Sequence, residues 1–396
     1  IRNVARRILE TQQAGNGVVA VVSAMGGVTN RLLDLANEVT GGGRAAEREM
    51  DMLLATGEQT SIALTAMAIH SMGGKACSLT GAQAGISTDA VHTKARIDMI
   101  EPDKVFRLLK EGNIVIVAGF QGMTSEGNLT TLGRGGSDLT AIAMAAALEA
   151  ESCQIFTDVD GVYTCDPRVV PLAQKLDEVS YDEMLEMASS GTKVMQSRSV
   201  EFAKKFGVVF EVRSSLNQHP GTTVREEDMS MESVVIRGVS LERNQAKVTI
   251  SGVKDTPGIA AKIFNSISEA NLVIDMIVQN VSKTQVTDIS FTLNRAELEQ
   301  AEDALRPLME ELGNEVSLEA EDGIAKLSVV GIGMRSHSGV ASEMFRALAE
   351  NDINIQMIST SEIKTAVIIE EGEIERAAQI VHTAFGLDGH PSDETP

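Results

Sequence analysis

The chain carries one long segment twice. Residues 246–277, AKVTISGVKDTPGIAAKIFNSISEANLVIDMI, return as residues 325–358, AKLSVVGIGMRSHSGVASEMFRALAENDINIQMI. The leading strands align at an offset of 79 (246 to 325), and everything from Gly258 and Gly339 onward aligns at 81 (258 to 339). The two extra residues fall in the turn between strand and helix. Beyond it Phe264 matches Phe345, Ile274 matches Ile355, and Met276-Ile277 matches Met357-Ile358. Each copy reads as strand, glycine turn, amphipathic helix and strand, then a further strand (TDISFTL or KTAVIIE) and a helix. Two βαββαβ units of this size suit a paired scaffold that binds a small ligand between copies or holds a dimer together.

The first ~240 residues follow another rule, with short apolar runs alternating with helix-length segments. That pattern predicts βαβ units and a mainly parallel sheet flanked by helices. Four runs stand out: GVVAVVSAMGG, KACSLTGAQAG, NIVIVAGFQG and CQIFTDVDG. Each ends in Gly, Ser, Thr, Gln or Asp. Ligands of open α/β sheets bind beyond the carboxyl ends of the strands, so these four ends, expected on one edge, predict the site.

Within TLGRGGSDLTAIAMAAAL (131–148), Ser137 is expected to N-cap an alanine-rich helix. The free N–H groups of that helix would favour an anion. Arg134 can clamp a carboxylate or phosphate with two hydrogen bonds, and Asp138 can serve a substrate amine or a metal. TDVDGVYTCDPR (157–168) places Thr157 and Asp158 at a strand end, with Tyr163 and Arg168 suited to a base and a phosphate. Lys193, in SSGTKVMQ, is a further phosphate contact. Neither GxxxxGK[ST] nor GxGxxG occurs, which excludes a P-loop and the dinucleotide fingerprint. The six histidines stand singly, and no metal site is expected from protein ligands.

Composition narrows the class further. A formal net charge of −22 argues against a nucleic-acid groove but leaves room for a local phosphate site. No apolar run reaches the ~18 residues of a membrane span, and the start shows no signal-peptide pattern. The three dispersed cysteines suit reduced thiols and a cytoplasmic location. Ile1 opens inside a helical pattern that keeps Ile1, Val4, Ile8 and Leu9 near one face, and a preceding segment is expected.

Together VVSAMGGVTN, LLATGEQTS, TLGRGGSDLTA, TDVDGVYTCDPR, GTKVMQ, DTPG and ISTSEI resemble the aspartate kinase (aspartokinase) branch of the amino-acid kinase family, with two C-terminal ACT domains. The resemblance covers essentially the whole chain. It implies an α/β amino-acid-kinase domain over 1–233, then ferredoxin-like ACT domains over 234–318 and 319–396, with 234–243 joining the second if the units are nested. It implies ATP and Mg²⁺, with phosphoryl transfer to the β-carboxylate of L-aspartate at the head of lysine, threonine and methionine biosynthesis. Ser23, Arg134 and Asp138 would be catalytic, and Thr29, Glu58, Arg134 and Asp138 would bind the amino acid. Ser23, Thr157, Asp158, Tyr163, Arg168 and Lys193 would hold the nucleotide. Asp255, Gly258, Ala260, Asp275, Gln279 and Asn354 would bind lysine or threonine as feedback effectors.

The implied partners are a second copy, through the ACT domains, and a shorter ACT-only subunit. The sequence departs from the family at three places. It holds no Lys-Phe/Tyr-Gly-Gly-Thr-Ser motif, whose lysine is catalytic in the family, Val273 replaces an asparagine, and Ser338 replaces a proline. Two other readings stay open: another kinase of this fold, and a non-catalytic subunit that only binds amino acids.

Overall fold

The computed structural model describes residues 1–43, 45–190, 194–227, 236–281, 286–313, 315–335 and 339–389. The chain divides into two compact units. The first comprises Ile1–Val162, Asp177–Leu185 and Lys193–Glu227, and the second Tyr163–Leu176, Glu186–Thr192 and Asp228–Pro396. Among the described residues no helix is long and apolar enough to cross a membrane. The three cysteines are unpaired.

The first unit opens with α1 (Arg2–Gln13), β1 (Val19–Val22), α2 (Val28–Thr40), α3 (Glu47–Ser71), β2 (Ala76–Leu79), β3 (Ile86–Thr88) and β4 (Ile97–Ile100). It continues with α4 (Asp103–Lys110), β5 (Ile114–Ala118), β6 (Gln121–Met123), β7 (Leu129–Thr131), α5 (Gly136–Ala147) and β8 (Cys153–Thr157). β9 (Glu178–Ser180), α6 (Tyr181–Ser189), α7 (Ser197–Phe206), β10 (Phe210–Ser214) and β11 (Thr222–Arg225) follow; α6 runs on past Leu185 into the second unit.

β5 is the centre of a parallel sheet ordered β1-β5-β2. Its five residues, IVIVA, are all buried, as a strand covered on both faces requires. Ile114, Ile116 and Ala118 join one core with Ala5, Ile62 and Ile69 from α1 and α3. Val115 and Val117 point the other way, to Val105 of α4 and Met144 of α5.

The fourth predicted strand, β8, departs from the single-edge expectation. It lies in a separate sheet ordered β8-β10-β11-β9, paired in parallel with β10. α5 bridges the two sheets, packing against both β1 and β8. Its small residues permit this, since Gly136, Ala143 and Thr140 are all buried.

The second unit holds β12 (Gly238–Lys254), α8 (Ile259–Glu269), β13 (Ile277–Val281), β14 (Val286–Asn294) and α9 (Leu298–Leu312), then β15 (Ser317–Val330), α10 (Val340–Ala349), β16 (Met357–Thr360), β17 (Lys364–Glu370) and α11 (Ile374–Ala384). Its six-stranded sheet runs β13-β14-β12-β15-β17-β16. β12 and β15 are too long for one repeat each and pair antiparallel from Gly238↔Val330 to Ser251↔Ser317. The start of β12 therefore sits beside the second repeat, where Ile236 and Val239 share a core with Leu327, Val367 and Val381. Cys165 and Val170, within 1–233 in sequence, join the same core.

The Ala-Lys pair that opens both repeats has a physical use. Lys326 on β15 is 1% exposed and bonds Glu242 at 2.8 Å and Asp275. Its counterpart Lys247 bonds Glu321 at 2.7 Å and Gln356 at 2.8 Å. Gln356 stands where Asp275 stands in the other repeat, so each copy's lysine grips the same position of its twin. Burial pulls the Lys326 ammonium toward neutrality, but Asp275 and Glu242 together outweigh it and raise its pKa.

Candidate active site

α3 supplies the floor of the site in the first unit. Its buried residues, Asp51, Leu54, Ala55, Gly57, Glu58, Ser61, Ile62, Thr65, Ala66 and Ile69, recur at helical spacing along one side. Two carboxylates on an otherwise apolar or small-residue stripe need partners. Glu58 has half of what it needs. Its Oε1 accepts from the backbone N–H of Ala24 at 2.9 Å, in the loop just after Ser23. Its Oε2 is buried with no hydrogen-bond partner among the described residues. Burial is the main influence on the group and raises its pKa against the lowering effect of the Ala24 bond.

The loop after β1 leads through Gly27, in the left-handed region at φ 79°, into α2, where Thr29 lies in the first turn. Ser23 is exposed and Thr29 half-buried. A Cβ on Gly57 would come within 2.9 Å of the Ala24 side chain, so α3 and this loop are in direct contact.

The wall is the loop before α5. Ser137 is not its N-cap, contrary to the sequence expectation: Gly135 holds that position at φ 68°. Glycine there lets the chain turn left-handed and enter the helix earlier, and a Cβ at Gly135 would fall 2.0 Å from Gln196 Cγ. Ser137 instead faces the end of β5, where a Cβ on Gly119 would approach its Oγ to 2.7 Å.

Arg134 projects from this loop, exposed, with no hydrogen-bond or ion-pair partner among the described residues. Asp138, in the first turn of α5, is half-buried, and desolvation raises its pKa to about 6 despite the favourable helix end. Asp138 also lies close enough to Cys153 for its charge to help raise the thiol, which burial has already pushed up, to about 12.

α5 thus lies against both β1 and β8. At the end of β8 Thr157 donates to Asp158 at 3.1 Å, both near the surface. Tyr163 and Arg168 belong to the second unit. Tyr163 bridges to Lys175, and Arg168 folds back onto Asp166 through bonds of 3.0 and 2.8 Å. Lys193 and Ser338 lie outside the described residues.

In the second unit Asp255 is exposed on the turn before α8, whose N-cap is Gly258 at φ 96°. Ala260 is half-buried against the core of the first repeat. Gln279 on β13 and Asn354 before β16 are exposed, as is Val273, at 75%. The Asp275 carboxylate is engaged by Lys326, a partnership sequence reasoning missed although the doubled Ala-Lys signalled it. Two other supports were also missed. Arg198 of α7 donates to the carbonyls of Leu132 and Ala95, each at 2.7 Å. Asp51 holds the segment beside them. Neither belongs to a glycine-rich motif, so only the repeated burial positions of α3 hinted at Asp51.

Asp138 makes the site sensitive to pH. Were Asp138 to receive a ligand ammonium, its carboxylate would be available only once ionised, and KM for an amine-bearing ligand would then be expected to fall as pH rises through about 6. Steady-state KM between pH 5 and 8 for the wild type and Asp138→Asn checks this. A limb unchanged by the substitution removes Asp138 from the amine pocket.

Residues 1–213 match the amino acid kinase family, and residues 248–307 and 327–385 each match the ACT domain. The chain is 53% identical over 389 residues to the aspartate kinase of Pseudomonas fluorescens, across 98% of this chain and 94% of the relative. The structure of E. coli aspartokinase III in complex with aspartate and ADP superposes with a TM-score of 0.80 at 25% identity, covering 97% of this chain and 95% of that one. The same E. coli protein in complex with lysine and aspartate superposes at 0.76, again at 25% identity, with the same coverage.

Proposed function

This chain belongs to the aspartate kinase family, and from that premise we propose that it transfers the γ-phosphoryl group of ATP to the β-carboxylate of L-aspartate. The product is 4-phospho-L-aspartate, which would begin lysine, threonine and methionine synthesis. The observation that carries the reading is the buried, half-partnered Glu58 beside the Ser23 loop. An unpaired buried carboxylate oxygen is costly, and a substrate ammonium would supply the missing donor.

Asp138 would share that ammonium, while Arg134 would take the α-carboxylate through two parallel bonds. Thr29 would line the amino-acid pocket. These contacts would direct the β-carboxylate toward Ser23 and the nucleotide. The β-carboxylate needs no general base, because its reference pKa of about 3.9 leaves it ionised at neutral pH. One of its oxygens forms a bond to the γ-phosphorus as the bridging bond to the β-phosphate breaks, and ADP leaves with that electron pair. Catalysis then consists of positioning and charge neutralisation.

Thr157 and Asp158 would contact the nucleotide at the end of β8. Among the described residues no cluster of three metal-binding side chains exists. The lone surface carboxylate of Asp158 fits Mg²⁺ carried mainly by nucleotide phosphates and water. Mg²⁺ would neutralise charge on the transferring group.

The exposed Asp255, Gly258, Gln279 and Asn354 would bind lysine or threonine, and the ACT half would join copies of the chain. The E. coli relative in complex with lysine supports an amino-acid effector. Asp275 would act there only through its bond to Lys326.

The test is hydroxylamine trapping of the acyl phosphate with coupled ADP detection, using protein expressed from its complete reading frame with Mg-ATP. Hydroxamate from aspartate, and none from glutamate or N-acetylglutamate, is the expected result. Absence of turnover with aspartate would overturn the reading.

A further inference from the structure

We propose that Asp51 is the positioning residue for the Arg134 clamp; this rests on the aspartate-binding reading of Arg134. Asp51 lies on the same stripe of α3 as Glu58, two helical turns earlier, or about 10 Å along the axis. It is 0% exposed. Its Oδ1 accepts from the Thr131 hydroxyl at 2.5 Å and the Thr93 N–H at 3.0 Å. Its Oδ2 accepts from His92 Nδ1 at 2.6 Å and again from the Thr93 N–H at 3.2 Å. Three donors from two chain segments therefore converge on one buried carboxylate.

The segment it holds is strained. Thr93 sits at φ 65°, a left-handed conformation that a β-branched residue adopts only at a cost. Such a conformation persists only where its surroundings impose it. The consequence lies next to the clamp. The Thr93 carbonyl oxygen stands 3.2 Å from where a Cβ on Gly133 would be, directly before Arg134.

The frame closes on the other side. The Ala95 N–H donates to the Thr131 carbonyl at 2.9 Å, Arg198 ties the Ala95 and Leu132 carbonyls, and Ser199 reaches the Gly135 carbonyl at 3.3 Å. Leu132 before Arg134 and Gly135 after it are thus held, while the guanidinium is left open. A clamp held this way loses little freedom when it binds. One helix serves both ends of the amino acid, with Glu58 at the amine and Asp51 behind the carboxylate clamp.

The test is a double-mutant cycle with Asp51→Asn and Arg134→Ala, read as KM and kcat for aspartate and ATP. Asn keeps the volume and one acceptor oxygen. Asp51→Asn is expected to raise KM for aspartate about tenfold, with KM for ATP unchanged, and to add nothing in the Arg134→Ala background. His92→Gln, a milder change, is expected to raise the aspartate KM about threefold and keeps the test open if Asp51→Asn does not fold. An equal rise in both KM values, or an undiminished effect without Arg134, would overturn the proposal by showing a merely structural role. Wild-type turnover with aspartate in the same assay tests the underlying reading separately.

Discussion

Arg134→Ala is expected to lower kcat/KM for aspartate by about 10²–10³-fold, the loss of a bidentate charge-assisted pair worth about 3–4 kcal/mol. KM for ATP and the thermal midpoint should barely move, because the side chain is exposed and partnerless among the described residues. Arg134→Lys is expected to recover only part of the loss, since an ammonium keeps the charge but not the planar fork. The measurement is kcat/KM for aspartate with a melting curve for each variant. Full activity in Arg134→Ala would mean that another cation receives the α-carboxylate.

Glu58→Gln should separate binding from stability by moving them in opposite directions. Loss of the formal charge facing the ammonium is expected to lower kcat/KM for aspartate about 10²-fold. The fold should gain, since the amide oxygen can still accept from Ala24 and no buried charge remains. The sign follows from the raised pKa. The native state favours the protonated acid, so its contribution is fully present below the ordinary value of 4.5 and lost as pH rises through the folded value. The stability advantage of Glu58→Gln should therefore appear at pH 8 and vanish below about pH 4.5, as read by denaturant unfolding at both pH values. A variant less stable at pH 8 would mean that the ionised carboxylate has a partner after all.

The readable parts of the site are those whose chemistry is local in sequence. Glycines at 133, 135 and 136 beside an arginine announce a backbone that must approach something closely. Strand ends rich in Gly, Ser and Asp announce the face at which a ligand sits. Glu58 comes out of the motif LLATGEQTS, although its raised pKa and orphaned oxygen do not. The cap of α5 was misread because Ser137 is a better capping residue than glycine in isolation. What decided the matter was the space beside Gly135, which Gln196 fills, and that is a contact across 61 residues of chain (135 to 196).

Sequence by itself determined the βαβ first half, the doubled βαββαβ second half and the family to which they belong. All three rest on periodicities and short motifs that any single strand or helix displays alone. Only tertiary structure decided that β8 leaves the sheet of β1, β5 and β2, and that β12 and β15 each run past one repeat into the next. Nor did the sequence show that Lys326 closes on Asp275 or that Asp51 stands behind Arg134. Strand pairing and burial are properties of partners distant in the chain. A buried charge takes its meaning from the donors that reach it, and those are assembled only when the chain folds.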